Sequence, residues 1–198
     1  GYYARAAGSF SGEPLFIART GYTGEDGFEL LVPHRAAGAL WDALLAAGTP
    51  LGLVPAGLAA RDTLRLEAGM PLYGHELSLQ TTPAQAGLGR SVAHGKPDFV
   101  GKRAPQASDA DSRVLVGLVS EGRRAGRAGY AVVDPAVDGA PVVGEVTSGA
   151  LSPTLGHPIA LAYVEPALAA PGTELAIDVR GTLIPASVTT LPFYRRTT

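Results

Sequence analysis

The sequence contains no cysteine. Disulfides, thiolate metal sites and cysteine nucleophiles are therefore excluded, and a reducing, cytoplasmic setting is expected. Charge is scarce, with 17% charged residues and a net charge of -2, so the chain as a whole lacks the electrostatic footprint of a nucleic-acid binder. Long apolar runs are missing, which excludes a membrane-spanning helix, and no basic segment followed by an apolar core reads as a signal peptide. The four histidines, at 34, 75, 94 and 157, follow no metal-binding spacing such as H-E-x-x-H, so no protein-built metal site is expected.

What is present suits a packed fold. Apolar residues make up 46% of 198 residues, enough for one large domain or two small ones. The 26 glycines and 16 prolines favour many turns. Residues 1–33 read as a β-hairpin, with strands over Pro14–Thr20 and Phe28–Val32 around glycines 21, 24 and 27. Ala37, Leu40, Trp41, Leu44 and Leu45 fall at helical spacing, and Gly48 and Pro50 stop the helix. Strong helix formers over Ala59–Ala68 predict a second helix, ended by Gly69. The polar stretch between Ala104 and Ser112 has linker composition. Beyond it, six short β-rich runs at 114–119, 130–133, 142–146, 159–164, 175–179 and 186–191 suggest a small barrel or sandwich.

Three segments carry candidate chemistry. The first is the glycine-rich turn 21–27 leading into Glu29, which is no phosphate-binding Walker loop because a strand follows it and no Gly-Lys-Ser/Thr is present. Glu29 has two readings: an exposed or ion-paired glutamate, or a carboxylate that takes two adjacent N–H donors of a flat heterocycle. The second is Arg61 with Arg65, four residues apart and on one helix face. Pairing with Asp62, Glu67, Glu25 or Asp26 is the preferred reading for Arg65, whereas Arg61 suits a carboxylate or planar-ring ligand. The third is the hydroxyl-rich run 144–156, in which Ser148 lacks a nucleophile-elbow context and a structural strand–turn–strand is expected. The tail Leu191–Arg196 reads either as a solvated terminus or as an arginine reaching an anionic ligand.

Taken together, ARTGYTGEDGFEL (18–30), AGLAARDTLRLEAGMPLYGHEL (56–77), TTPAQAGLG (81–89), FVGK (99–102), GEVTSGALSPTLG (144–156), IALAYV (159–164) and LPFYRR (191–196) resemble the glycine cleavage T-protein family, in the family's order and over nearly the whole chain. The resemblance implies an α+β class, with a partial α+β folate-binding region over 1–105 and a small all-β barrel domain over 112–198. It implies tetrahydrofolate as cofactor and the lipoylated H-protein as partner. The implied reaction releases ammonia from an aminomethyl group on the H-protein's lipoyl arm and passes the methylene carbon to tetrahydrofolate. Tyr22, Glu29, Arg61 and a C-terminal arginine, assigned to Arg196 in preference to Arg195, are the implied cofactor-binding residues. The family's catalytic aspartate lies upstream of anything matching Gly1, so no catalytic residue is expected in this chain and an incomplete enzyme is expected. The alternative is a non-catalytic folate-binding or regulatory module built from the same parts.

Overall fold

The computed structural model describes residues 1–103 and 113–196, so the polar stretch between Ala104 and Ser112 lies outside the described residues. The chain divides into two compact units, Gly1–Leu64 with Arg196, and Arg65–Arg195. Both the α+β character and the closed barrel expected from the sequence are found.

The first unit opens with a three-stranded antiparallel sheet, β1 (Arg5–Phe10), β2 (Glu13–Ala18) and β3 (Glu29–Leu31), in the order β1-β2-β3. The sequence pattern shows only the second and third of these strands. β1 has the composition RAAGSF, which lacks the β-branched residues that mark a strand. Its signal lies in the turn: Ser11 and Gly12 both have positive φ, 50° and 81°, as a two-residue hairpin loop requires. Helix α1 (His34–Gly48) follows, with Ala36 and Leu40 buried. Another apolar row on this helix, Ala37, Trp41 and Leu44, is exposed. Arg35 ties the helix start to β2 through a bidentate contact with Glu13 at 2.6 and 2.7 Å.

Helix α2 (Leu58–Glu67) enters the second unit at Arg65. Gly69, at φ 66°, ends it: its N–H donates to the Leu66 carbonyl and that of Met70 to the Arg65 carbonyl, both at 2.8 Å. Those two bonds form a Schellman cap, which a Cβ at a left-handed position would strain.

Six strands then close a barrel: β4 (Val114–Ser120), β5 (Ala131–Val133), β6 (Val142–Leu151), β7 (Pro158–Val164), β8 (Glu174–Val179) and β9 (Thr182–Thr189), in the order β4-β7-β6-β5-β8-β9. Val116, Leu118, Ala160, Ala162, Val164, Ile177 and Val188 belong to the barrel's main core cluster. Strand β7 is buried on both faces, because Ile159 and Leu161 pack in a second cluster with Leu66, Leu191 and Phe193. That double burial explains its unbroken apolar run, where a strand with one wet face would alternate. Gly117 permits the tail to lie on β4, since a Cβ there would stand 2.8 Å from the Leu191 side chain and 2.9 Å from Phe193.

Three charged side chains are sealed in this unit: Arg65, Glu67 and Glu76, each at most 2% exposed. Arg65 donates to Glu76 Oε2 at 3.0 Å, to the Met70 carbonyl at 3.2 Å and to Ser148 Oγ at 2.8 Å. Glu76 is thus a partner of Arg65 beyond the four acids considered from sequence. Glu67 accepts instead from the hydroxyls of Ser152 and Thr154, at 2.5 and 2.8 Å, and from the Thr154 amide at 3.2 Å. Ser148 therefore serves as a buried acceptor within β6, followed by the turn that leads into β7.

Two predictions follow from this packing. Arg65→Met strands the Glu76 carboxylate in the interior, and removing one partner of a buried pair costs about 3–5 kcal/mol; hydrogen exchange of the barrel amides should lose protection accordingly, and unchanged protection would contradict the account. Tyr163 donates to the Glu76 carbonyl at 2.8 Å, and burial, followed by the Glu76 charge, pushes its phenol up to about 12. A raised acid is stabilised in its neutral form, so this contribution is complete below the ordinary tyrosine value of about 10 and disappears as pH rises through the folded value. The barrel should accordingly lose stability between about pH 10 and 12, and Tyr163→Phe should remove most of that alkaline loss in a pH series of exchange or denaturation measurements.

Candidate functional site

The glycine-rich turn and the helix arginine, 39 residues apart in sequence at Tyr22 and Arg61, come together in the first unit. The Arg61 guanidinium carbon lies 4.6 Å from the centre of the Tyr22 ring. This is a cation–π contact, worth about 0.5–1 kcal/mol at an exposed site. It fixes the plane of the guanidinium while leaving N–H donors at its edge. Arg61 is exposed and Tyr22 half-buried, so the pair is open to solvent from the arginine side.

Glu29 begins β3, paired with Ala18 of β2. Thr20 Oγ1 donates to its Oε2 in a short contact. Strand alternation puts Glu29 and Leu31 on the exposed face, with Leu30 half-buried on the other, as the period of two demands. Its Oε1 has no hydrogen bond among the described residues. The carboxylate is therefore anchored through one oxygen and available through the other.

The turn between β2 and β3 is held by Arg19, whose Nε and Nη2 donate to the two oxygens of Asp26 at 2.9 and 2.6 Å. These hydrogen bonds hold the Asp26 carboxyl below the ordinary carboxylate range and the Arg19 guanidinium above its own. Glu25, next in the turn, faces Arg196 at 3.9 Å, and that pair is partly exposed on both sides. A contact of this length in solvent contributes little stability, and it leaves the arginine free to exchange partners. The Arg196 charge also adds to the lowering of Asp26. Arg195 is exposed and belongs to the second unit.

All four residues proposed from sequence as ligand contacts, Tyr22, Glu29, Arg61 and Arg196, thus fall in one compact unit. Tyr22 touches Arg61 directly, Glu29 is held by Thr20, and Arg196 reaches Glu25. Sequence reasoning missed Arg19 and Thr20 as the side chains that fix the turn. Their signal was present as an arginine and a threonine at the end of a strand, facing acids seven and nine residues on.

Two clefts of the second unit are lined by none of these residues. One, of about 520 Å³, is lined by residues including Ser120, His157, Glu174 and Ser187. Among the described residues, no group of three or more His, Asp or Glu side chains converges on a point that could hold a metal ion. No helix among them is long and apolar enough to cross a membrane.

Comparison with known proteins accounts for both units. Residues 1–96 match the family model described as the GCVT N-terminal domain, and residues 113–195 match the glycine cleavage T-protein C-terminal barrel domain. The aminomethyltransferase of Streptomyces avermitilis is 60% identical over 202 residues, covering 98% of this chain and 53% of that protein. That of Cutibacterium acnes is 58% identical over 197 residues, covering 98% and 52%. The solved structure of glycine cleavage system aminomethyltransferase T from Bartonella henselae superposes with a TM-score of 0.80 at 39% identity, covering 91% of this chain and 50% of that one. The chain spans about half the length of the curated relatives it matches. With both of its domain matches and these relatives pointing the same way, the chain belongs to the glycine cleavage T-protein family.

Proposed function

We propose that this chain is part of a tetrahydrofolate-dependent aminomethyltransferase of the glycine cleavage system. The reaction takes the methylene carbon from the aminomethyl-lipoyl arm of the H-protein to tetrahydrofolate and releases ammonia. The domain division proposed with it is a folate-binding region over 1–105 and a barrel domain over 112–198.

The observation that carries this reading is the plate formed by Arg61 over the Tyr22 ring at 4.6 Å, in the same unit as the half-engaged carboxylate of Glu29. A pterin is flat and presents adjacent N–H donors. A carboxylate accepts such donors in parallel, since its two oxygens offer about four lone-pair sites and Thr20 takes one. Aromatic and guanidinium planes supply flat surfaces for a ring. Arg196, held only by a long exposed contact to Glu25, supplies a cation for the ligand's carboxylates. The residues present therefore fit the group.

Tetrahydrofolate, when bound, supplies the acceptor of the one-carbon unit. The part of this chain is to bind and orient it: Glu29 accepts from the ring, Tyr22 and Arg61 limit its tilt, and Arg196 neutralises negative charge. Orientation of this kind converts binding energy into rate. The catalytic carboxylate is proposed to come from residues outside this chain, so the chain by itself binds without turning over.

Titration calorimetry of the chain with tetrahydrofolate tests the binding. Glu29→Gln and Arg61→Ala should each weaken it by about tenfold to a hundredfold, the loss of one charge-assisted contact of about 1.5–3 kcal/mol. Affinity that is unchanged in both variants would overturn the site. In a coupled assay with the aminomethylated H-protein, this chain alone should release no ammonia above background; measurable turnover would overturn the assignment of the catalytic group to residues outside it.

A further inference from the structure

Arg19 and Thr20 follow β2 directly, while Asp26 precedes β3 and Glu29 begins it. Each of the two adjacent residues takes one of the two acids. Arg19 holds both oxygens of Asp26, and Thr20 Oγ1 donates to Glu29 Oε2. The register explains the second reach. Ala18 is the Cα partner of Glu29, and Thr20 stands two residues beyond Ala18. Alternation carried one step past the strand puts the Thr20 side chain on the face that carries Glu29. That is the diagonal cross-strand position, from which side chains can meet.

The two contacts serve different ends. Arg19 closes the turn, and its backbone ties the same stretch to the chain ahead of β1. Its N–H donates to the Ala4 carbonyl at 2.8 Å, and its carbonyl accepts from the Tyr3 amide at 3.1 Å. The hairpin therefore keeps its path without the Thr20 hydroxyl, whose hydrogen bond among the described residues is the one to Glu29. What that hydroxyl governs is a single side chain. Glu29 is exposed, and an exposed glutamate otherwise samples several rotamers. Threonine is branched at Cβ and stiff at χ1, so it offers a donor at a fixed place. A carboxylate only accepts, so the direction of the bond is settled. It occupies Oε2 and leaves Oε1 without a hydrogen bond among the described residues. A ligand that donates to Glu29 then meets a carboxylate already ordered by the fold, which raises affinity without another contact to the ligand.

We propose that Thr20 is a positioning residue of the folate site: its hydroxyl sets the orientation of the Glu29 carboxylate before tetrahydrofolate arrives. The inference rests on the folate reading given above. Thr20 acts through Glu29 and not on the ligand, whereas Arg19 is assigned to the turn.

The test is the affinity of this chain for tetrahydrofolate, followed by NMR titration, which reads weak as well as tight binding. Thr20→Val keeps the branched shape and removes the donor; it should weaken binding by about threefold to tenfold, the worth of one ordinary hydrogen bond. Thr20→Ser keeps a donor and should return affinity to within about twofold of wild type. In a Glu29→Ala background, Thr20→Val should change nothing, because the group it orients is gone. Without ligand, the Glu29 carboxyl carbon resonance should move in Thr20→Val and stay near its place in Thr20→Ser, while amide exchange over β1 to β3 is the same in all three chains. Wild-type affinity in Thr20→Val overturns the positioning role and leaves the folate reading standing. An equal loss from Thr20→Val with and without Glu29 assigns the residue to the hairpin or to the ligand and overturns the role as well, as does a Thr20→Ser chain no better than Thr20→Val. Absence of tetrahydrofolate binding by the wild-type chain overturns the folate reading, and the positioning inference with it.

Discussion

The demand that a guanidinium and two carboxylates be satisfied out of reach of water governs the second unit. Arg65, Glu67 and Glu76 share one region of the interior, and each draws its partners from a different stretch of chain. Arg65 joins the end of α2 to the 70–76 loop and to β6. Glu67, two residues on, reaches the turn between β6 and β7. Desolvating such groups costs several kcal/mol for each ion, so none of these segments can shift register without stranding a charge. The apolar contacts of Leu66 with Ile159 and Leu161 supply the attraction, and the polar network fixes the alignment.

The two units differ in how they hold themselves together. The barrel closes on a continuous apolar interior. In the first unit, Ala36 and Leu40 are the buried apolar residues among those described, and Phe28, Leu31, Trp41 and Leu58 are each more than half exposed. Its ordered features are instead turns and ion pairs: Arg19 with Asp26, Arg35 with Glu13 and Arg61 on Tyr22. Exposed pairs contribute little to stability one by one, but they set side-chain direction, which is what a binding surface requires.

Much of this was legible in the sequence because it depends on local periodicity. The spacing of Leu40, Trp41, Leu44 and Leu45 specifies α1, and Gly69 marks the end of α2. The six β-rich runs correspond to the six barrel strands. What periodicity could not supply is pairing across the chain. Glu76 lies on a turn-rich stretch with no pattern to mark it as the partner of Arg65, and Ser148 lies 83 residues from that arginine. β1 escaped notice because alanine, glycine and serine carry no strand signature, and its place is set by the hairpin loop and by β2. At the candidate site, the motifs identified Tyr22, Glu29 and Arg61, but only the folded chain brings the Tyr22 ring under Arg61.

The meeting of Gly126 with Gly149 has a consequence for how this protein can change over generations. A Cβ at Gly149 would stand 2.3 Å from the Gly126 carbonyl oxygen, whereas a Cβ at Gly126 would meet the Ile177 and Val146 side chains at 3.2 and 3.5 Å, so the two positions answer to different neighbours. An alanine at 149 runs into backbone, which cannot swing aside as a flexible side chain can. Drift in the surrounding loop between β4 and β5 is therefore channelled: its exposed arginines change by single steps, position 126 asks the Ile177 side chain to give by a little, and position 149 admits no larger residue without moving backbone. Laboratory evolution of this loop would find its variation at the exposed positions 123, 124 and 127, and would recover 149 as glycine in survivor after survivor.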